Sequence, residues 1–97
     1  MKILAIEEDV EGVKAEDFTI EILKREAMRA WELQQKGIIR ELSFDDDHNA
    51  ILILEAESIA IAKAALDKLP LVQEKLVRFE LRAMHPYNGY ERLFEKE

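Results

Sequence analysis

The spacing of apolar and polar positions changes repeatedly along the chain, and each change marks an element. Lys2 to Glu7, KILAIE, is a short apolar run ending in charge and predicts a first strand, with EDVEG after it as a turn or loop. From about Glu16 to Lys36 the apolar set Ile20, Leu23, Ala27, Ala30 and Trp31, with Gln34, recurs at three- and four-residue steps. Glu21, Lys24, Arg25, Arg29 and Lys36 fall mostly elsewhere on the wheel, which predicts a long amphipathic helix. Gly37 is placed to end it in the left-handed conformation. Ile38 to Phe44 returns to strand chemistry, Asp45 to Asn49 is a polar turn, and Ala50 to Ala56 is the most apolar run, a buried strand. Two strands around a short polar loop predict a hairpin. Ser58 caps a second helix with a buried stripe of Ala62, Ala65, Leu66 and Leu69, and Pro70 marks its end. Leu76 to Met84 is the last strand. The order β-α-β-β-α-β predicts a ferredoxin-like α+β fold: an antiparallel four-stranded sheet with two helices on one face. The whole chain, 1–97, reads as a single domain with a C-terminal tail from about 85.

The last strand carries further information, because side chains alternate across a strand. Val77, Phe79, Leu81 and Ala83 share one face and should meet the helices. Arg78, Glu80 and Arg82 share the other, beside apolar side chains of the third strand, either Ile51 and Ile53 or Leu52 and Leu54. Such a mixed face should not stay in water. A second copy of the sheet would cover it, closing a dimeric α+β barrel with a polar pocket for a small ligand between the sheets.

Composition then removes partners rather than adding them. An apolar fraction of 48% is enough for a core, so disorder is not expected. Ninety-seven residues bury a modest share of their surface, which favours self-association. A net charge of −7 argues against nucleic acid and against an anionic membrane surface. Without Cys there is no disulfide, thiolate nucleophile or thiolate metal site. No apolar run reaches membrane-spanning length and the N-terminus turns acidic by Glu7, unlike a secretory signal, so a cytoplasmic protein is expected.

Three segments resemble the muconolactone delta-isomerase family, of the dimeric α+β barrel superfamily. They are LQQKGIIREL (Leu33 to Leu42), AESIAIAKAALDKLPL (Ala56 to Leu71) and FELRAMHPY (Phe79 to Tyr87). The shared elements are the Leu-Gln-x-x-Gly-x-x-Arg junction, the Leu-Pro-Leu, and the His-Pro after the last strand. The resemblance implies a small chain that assembles into a homodimer or larger ring, binds a small molecule, and belongs to aromatic catabolism. It implies proton transfer within a small unsaturated lactone or organic acid, with no cofactor and no metal. It places Arg40 at the family's Arg after the Gly, and His85 and Pro86 at its His-Pro. One departure stands out: where the family continues with an aromatic residue and a second Arg, this chain has Ser43, Phe44 and three Asp. A positive charge suited to a lactone carboxylate is replaced by an acidic loop.

Two functions follow from different classes. The first is a cofactor-independent isomerase, with Glu80 or His85 as the base and Arg40 or Arg78 holding a carboxylate. Glu80 qualifies if the barrel buries it and raises its pKa, and His85 because its ordinary pKa lies near neutrality. The alternative role of Glu80 is an ion pair with Arg78 or Arg82, which alternation is read as not supporting within one strand; cross-strand pairing with Arg40 stays open. Tyr87 and Tyr90 can contact the ligand or pack the tail on a neighbouring subunit. The second function is a non-catalytic ligand-binding or assembly module of the same fold. Asp45, Asp46, Asp47 and His48 lack the longer alternating pattern of a calcium loop and read as a solvated turn. Met28 and Trp31 read as core or interface. Pro86 and Asn88-Gly89 turn the chain off the last strand, so the tail is expected to cover one mouth of the pocket.

Overall fold

Every element expected from the apolar periodicity is present in the computed structural model, which describes residues 1–96. Four strands, β1 (Lys2–Asp9), β2 (Ile39–Phe44), β3 (Ala50–Glu55) and β4 (Val77–Met84), form one sheet in the order β2-β3-β1-β4. All neighbouring pairs are antiparallel. Helices α1 (Ile20–Gln35) and α2 (Ile59–Leu66) follow β1 and β3. α1 packs beside β2 and α2 beside β4, which is the ferredoxin-like arrangement.

Alternation decides the faces. Ile3 and Ala5 of β1, Ala50, Leu52 and Leu54 of β3, and Val77 of β4 are buried under the helices. Those of β1 and β3 meet Leu33 of α1, Ala62 and Leu66 of α2, and Leu69, whereas Val77 packs with Ile22 and Leu71. Ile51 and Ile53 therefore take the open face, resolving the choice left by sequence, and stand beside Leu4 and Ile6 through the register Leu4↔Ile53 and Ile6↔Ile51.

The ends of the elements depart from expectation in instructive ways. β1 runs to Asp9 because Glu8 and Asp9 still pair with Arg78 and Val77. The first helix divides: Ala15–Asp17 form a 3-10 turn, and α1 starts at Ile20, where the Thr19 hydroxyl accepts from Ile22 N at 3.2 Å. The expected stripe of α1 holds in part: Ala30 packs on the core and lines, with Leu23 and Ala27, the space over the sheet, but Ile20 and Trp31 face away. Ile22 and Leu33 are buried and Glu26 is half-buried between them, whereas Ile20 and Trp31 are 75% and 58% exposed and Met28 is exposed too. Met28 and Trp31 are thus not core. Pro70 does not end α2 but opens a further helical turn, α3 (Pro70–Gln73), where its missing N–H costs nothing. Gly37 ends α1 with φ +79°, as expected.

Candidate functional site

The same alternation that buries Ile3 and Ala5 carries Glu7 to the helix-covered face at the end of β1. Above it, the stripe of α1 that buries Ile22 and Leu33 presents Glu26. Between them lies a cavity of about 590 Å³, lined by both carboxyls. It exists because the lining positions on α1 and the adjoining turn include Ala15, Ala27 and Ala30, which are too small to fill the space over the sheet. Leu52, Leu69, Leu71 and Phe79 supply apolar walls. The β2–β3 hairpin forms the rim, where His48 stacks on Phe44 with ring centroids 4.1 Å apart and planes 13° from parallel.

Each carboxyl is oriented by the backbone. Glu7 Oε1 accepts from Ala50 N at 3.1 Å, and Glu26 Oε1 accepts from Leu71 N at 3.0 Å. Burial raises the pKa of Glu7 above the usual carboxylate range; the Ala50 N–H opposes this and the nearby Asp9 charge adds to it. Burial likewise raises Glu26, against the Leu71 N–H and reinforced by the charge of Glu7. Carboxyls whose pKa is raised by burial, each held by a backbone N–H in a largely apolar cavity, are suited to accepting and returning a proton.

The residues singled out from sequence lie elsewhere. None of Arg40, Arg78, Glu80, His85 and Tyr87 lines this cavity. Glu80 stands exposed on the open face and pairs with Arg82 at 2.9 Å, because residues two apart on a strand share a face; the cross-strand candidate Arg40 lies on β2, at the opposite edge of the sheet. Arg78 pairs with Glu8 at 3.2 Å. Arg40 Nε donates to Gly37 O at 2.8 Å. His85 is exposed just past β4. Tyr87 packs edge-to-face on Tyr90 at 4.9 Å. The hairpin acids form a turn, with Asp45 Oδ1 accepting from Asp47 N and Asn49 N, both at 2.9 Å.

The tail does not cover this cavity in its own protomer. Met84 pairs opposite Lys2, whereas Glu7 sits opposite Phe79, so the tail leaves the sheet five residues of β1 away from Glu7. That is about 17 Å of extended strand. β4 begins at the cavity end and finishes at the other, so the expected cover over a pocket between two sheets concerns a different space. Glu7 and Glu26 were missed. Their signal was present in the inward set Ile3-Ala5-Glu7 and in Glu26 falling four residues after Ile22 and seven before Leu33.

No protein-family model matches the sequence, and no curated protein matches it. Among the described residues, no helix is long and apolar enough to cross a membrane. The structure is similar to that of 5-chloro-2-hydroxyhydroquinone dehydrochlorinase from Burkholderia phenoliruptrix, solved in complex with 2,5-dihydroxybenzoquinone. The likeness has a TM-score of 0.67 at 18% sequence identity and spans 92% of this chain and 98% of that one, which establishes the α+β fold.

Proposed function

We propose that this chain is a cofactor-independent proton-transfer enzyme acting on a small ring compound, with Glu7 and Glu26 as its proton-handling pair. The observation that carries this reading is the pair itself: two half-buried carboxyls, one on the sheet and one on the helix above it, in an otherwise largely apolar cavity. Burial without a cation is costly for a carboxylate, so a purely structural role would favour an amide or an apolar side chain there. One carboxyl takes a proton from an activated carbon while the other, protonated, donates to the carbonyl oxygen that gains charge. The fold is shared with a dehydrochlorinase bound to an oxygenated ring, which agrees with this substrate class. Isomerisation, the reaction implied by the resemblance, is the simplest outcome of such a step.

Assembly belongs to the same proposal. Leu4, Ile6, Ile51 and Ile53 form an apolar centre on the open face, edged by Arg78, Glu80 and Arg82. A second copy covers it in a homodimer or larger homo-oligomer, with the tail as an additional contact and the cytoplasm as its place of work. Arg82, Glu80 and His85 would then border a second, inter-sheet space, and Glu80 or His85 acting there is the competing assignment of the base.

Deuterium uptake into neutral unsaturated lactones and cyclic ketones, followed by NMR, tests the reading. Glu7→Gln and Glu26→Gln should each slow exchange by about 10²–10⁴, while Glu80→Gln and His85→Ala leave it unchanged. Exchange abolished only by Glu80→Gln would move the chemistry to the open face. A second reading has its own observation: both carboxyls also tie loops through Ala50 N and Leu71 N. Binding of ring compounds without any exchange would establish that ligand-binding module instead.

A further inference from the structure

The charges around the cavity are lopsided. Glu7, Asp9, Glu26 and Asp47 line it, His48 is at its rim, and no Lys or Arg is among its lining residues. The nearby arginines are committed elsewhere, Arg40 to the carbonyl of Gly37 and Arg78 to Glu8 on the open face. From this we propose that the cavity takes a neutral hydroxylated ring and rejects rings that bear a carboxylate. The inference rests on the reading of the cavity as the ligand site and names which ligands enter it.

Two features of the geometry support it. Each cavity carboxyl uses Oε1 on a backbone N–H, and among the described residues no hydrogen bond engages Oε2. An ionised Oε2 accepts only, so it requires an O–H from the ligand; a protonated one donates, so it requires a carbonyl or hydroxyl oxygen. A ring hydroxyl satisfies both. A carboxylate cannot donate, and it meets like charge within a low-dielectric space, where repulsion is stronger than in water. The apolar walls Leu52, Leu69 and Phe79 suit the faces of a ring, and the volume of about 590 Å³ lies within the range of small-molecule sites. Burial also raises the pKa of both glutamates, so each holds a proton more readily than an exposed carboxyl does. The departure Ser43-Phe44-Asp45, where the resembling family has an aromatic and an Arg, is thereby given a consequence: the carboxylate anchor is gone and the ligand has changed with it.

The probes are resorcinol and its ring carboxylate, α-resorcylate, which differ by one charge; a phenol stays protonated at about pH 7. The readout is the amide NMR signals of Ala50 and Leu71, whose N–H groups bond the two glutamates. Resorcinol should shift both signals and bind at least about tenfold more tightly than α-resorcylate. Glu26→Gln should narrow that ratio, and Asp47→Asn, a change in an exposed turn that does not threaten folding, should narrow it less. Equal or tighter binding of α-resorcylate at the same amides overturns the proposal and leaves the cavity as the ligand site. A ratio untouched by either variant overturns its electrostatic cause. If neither compound moves these two signals, the reading of the cavity falls, and this inference with it.

Discussion

On the open face of the sheet, Glu80 meets Arg82 at 2.9 Å and Glu8 meets Arg78 at 3.2 Å. On the helix-covered face, Glu7 and Glu26 hydrogen-bond to backbone N–H groups, with the charges of Asp9, His48 and Asp45 acting on Glu7 and that of Glu7 on Glu26. The exposed pairs are worth little to stability, since solvent screens them. They ring an apolar centre, which is the layout of an interface, with a polar rim around a hydrophobic middle. The covered carboxyls have the opposite character: they are expensive where they stand, and among the described residues neither forms a salt bridge. The difference is one of environment: charges along an exposed strand pair with one another in water, whereas a solitary acid on an apolar face keeps its desolvation cost.

The largest effect should come from the open face. Ile53→Asp puts a carboxylate into its apolar centre while leaving the buried neighbours Leu52 and Leu54 in place. Loss of one large apolar contact per subunit, about 3–6 kcal/mol for a two-fold pair, should reduce the assembly to monomers in light scattering, with the fold retained by circular dichroism. A wild-type protein that is monomeric at micromolar concentration would break the comparison at its root. One residue along the same strand, the other face should respond differently. Leu54 is fully buried, so Leu54→Ala should cost about 2–5 kcal/mol of unfolding free energy in urea. Assembly should weaken only as the fold does.

Strand and helix order were legible because they rest on local periodicity. KILAIE, IIRELSF, AILILEA and LVRFELRAM each became a strand within two residues of the expected limits, and Ser58 caps α2 as expected, accepting from Ile61 N at 3.1 Å. The site was legible only in hindsight. Its two acids come from elements 19 residues apart in sequence, Glu7 and Glu26, and nothing local marks their meeting. Ile20 and Trp31 entered the expected α1 stripe because they are as apolar as the residues actually buried. Sequence periodicity reports an apolar stripe and does not say whether the chain's own core or another molecule covers it.

A smaller effect separates the faces by pH. A Glu whose folded pKa is raised binds a proton more readily folded than unfolded. Stability from Glu7 and Glu26 is therefore greatest below the usual carboxylate range and falls as pH rises through their raised folded values. Glu26→Gln keeps a side-chain oxygen for Leu71 N and removes the ionisable group. The variant should be more stable than wild type at neutral pH, lose that advantage on acidification, and flatten the fall above the usual carboxylate range. Glu80→Gln should leave the same urea-midpoint profile nearly unchanged. A Glu26→Gln variant that is less stable than wild type at neutrality would show that the carboxylate is supported by contacts other than those described.

The smallest effect on the protomer should come from removing everything after Met84. Tyr87, Tyr90, Leu93 and Phe94 are 70%, 69%, 76% and 84% exposed, so the protomer's core gains little from them. The tail is nevertheless ordered. Gly89 lies against the Tyr87 ring, where any Cβ would collide, and Gly89–Phe94 form a 3-10 helix. It projects from the body: a compact chain of this length has a radius of gyration of about 12–13 Å, against 16.4 Å here, with a longest dimension of 61 Å. In the proposed assembly, the four large apolar side chains of this arm are ones that a second copy would cover. In the monomeric Ile53→Asp background, truncation should change unfolding free energy by no more than about 0.5 kcal/mol. In the assembled wild type it should weaken association, seen as dissociation at higher protein concentration in light scattering. Resorcinol binding in the cavity should survive truncation of the monomer, because the tail leaves the sheet at the far end of β1 from Glu7. A loss of more than about 1 kcal/mol in the monomeric background would show that the arm packs on its own protomer, and an unchanged association in the wild type would remove it from the interface.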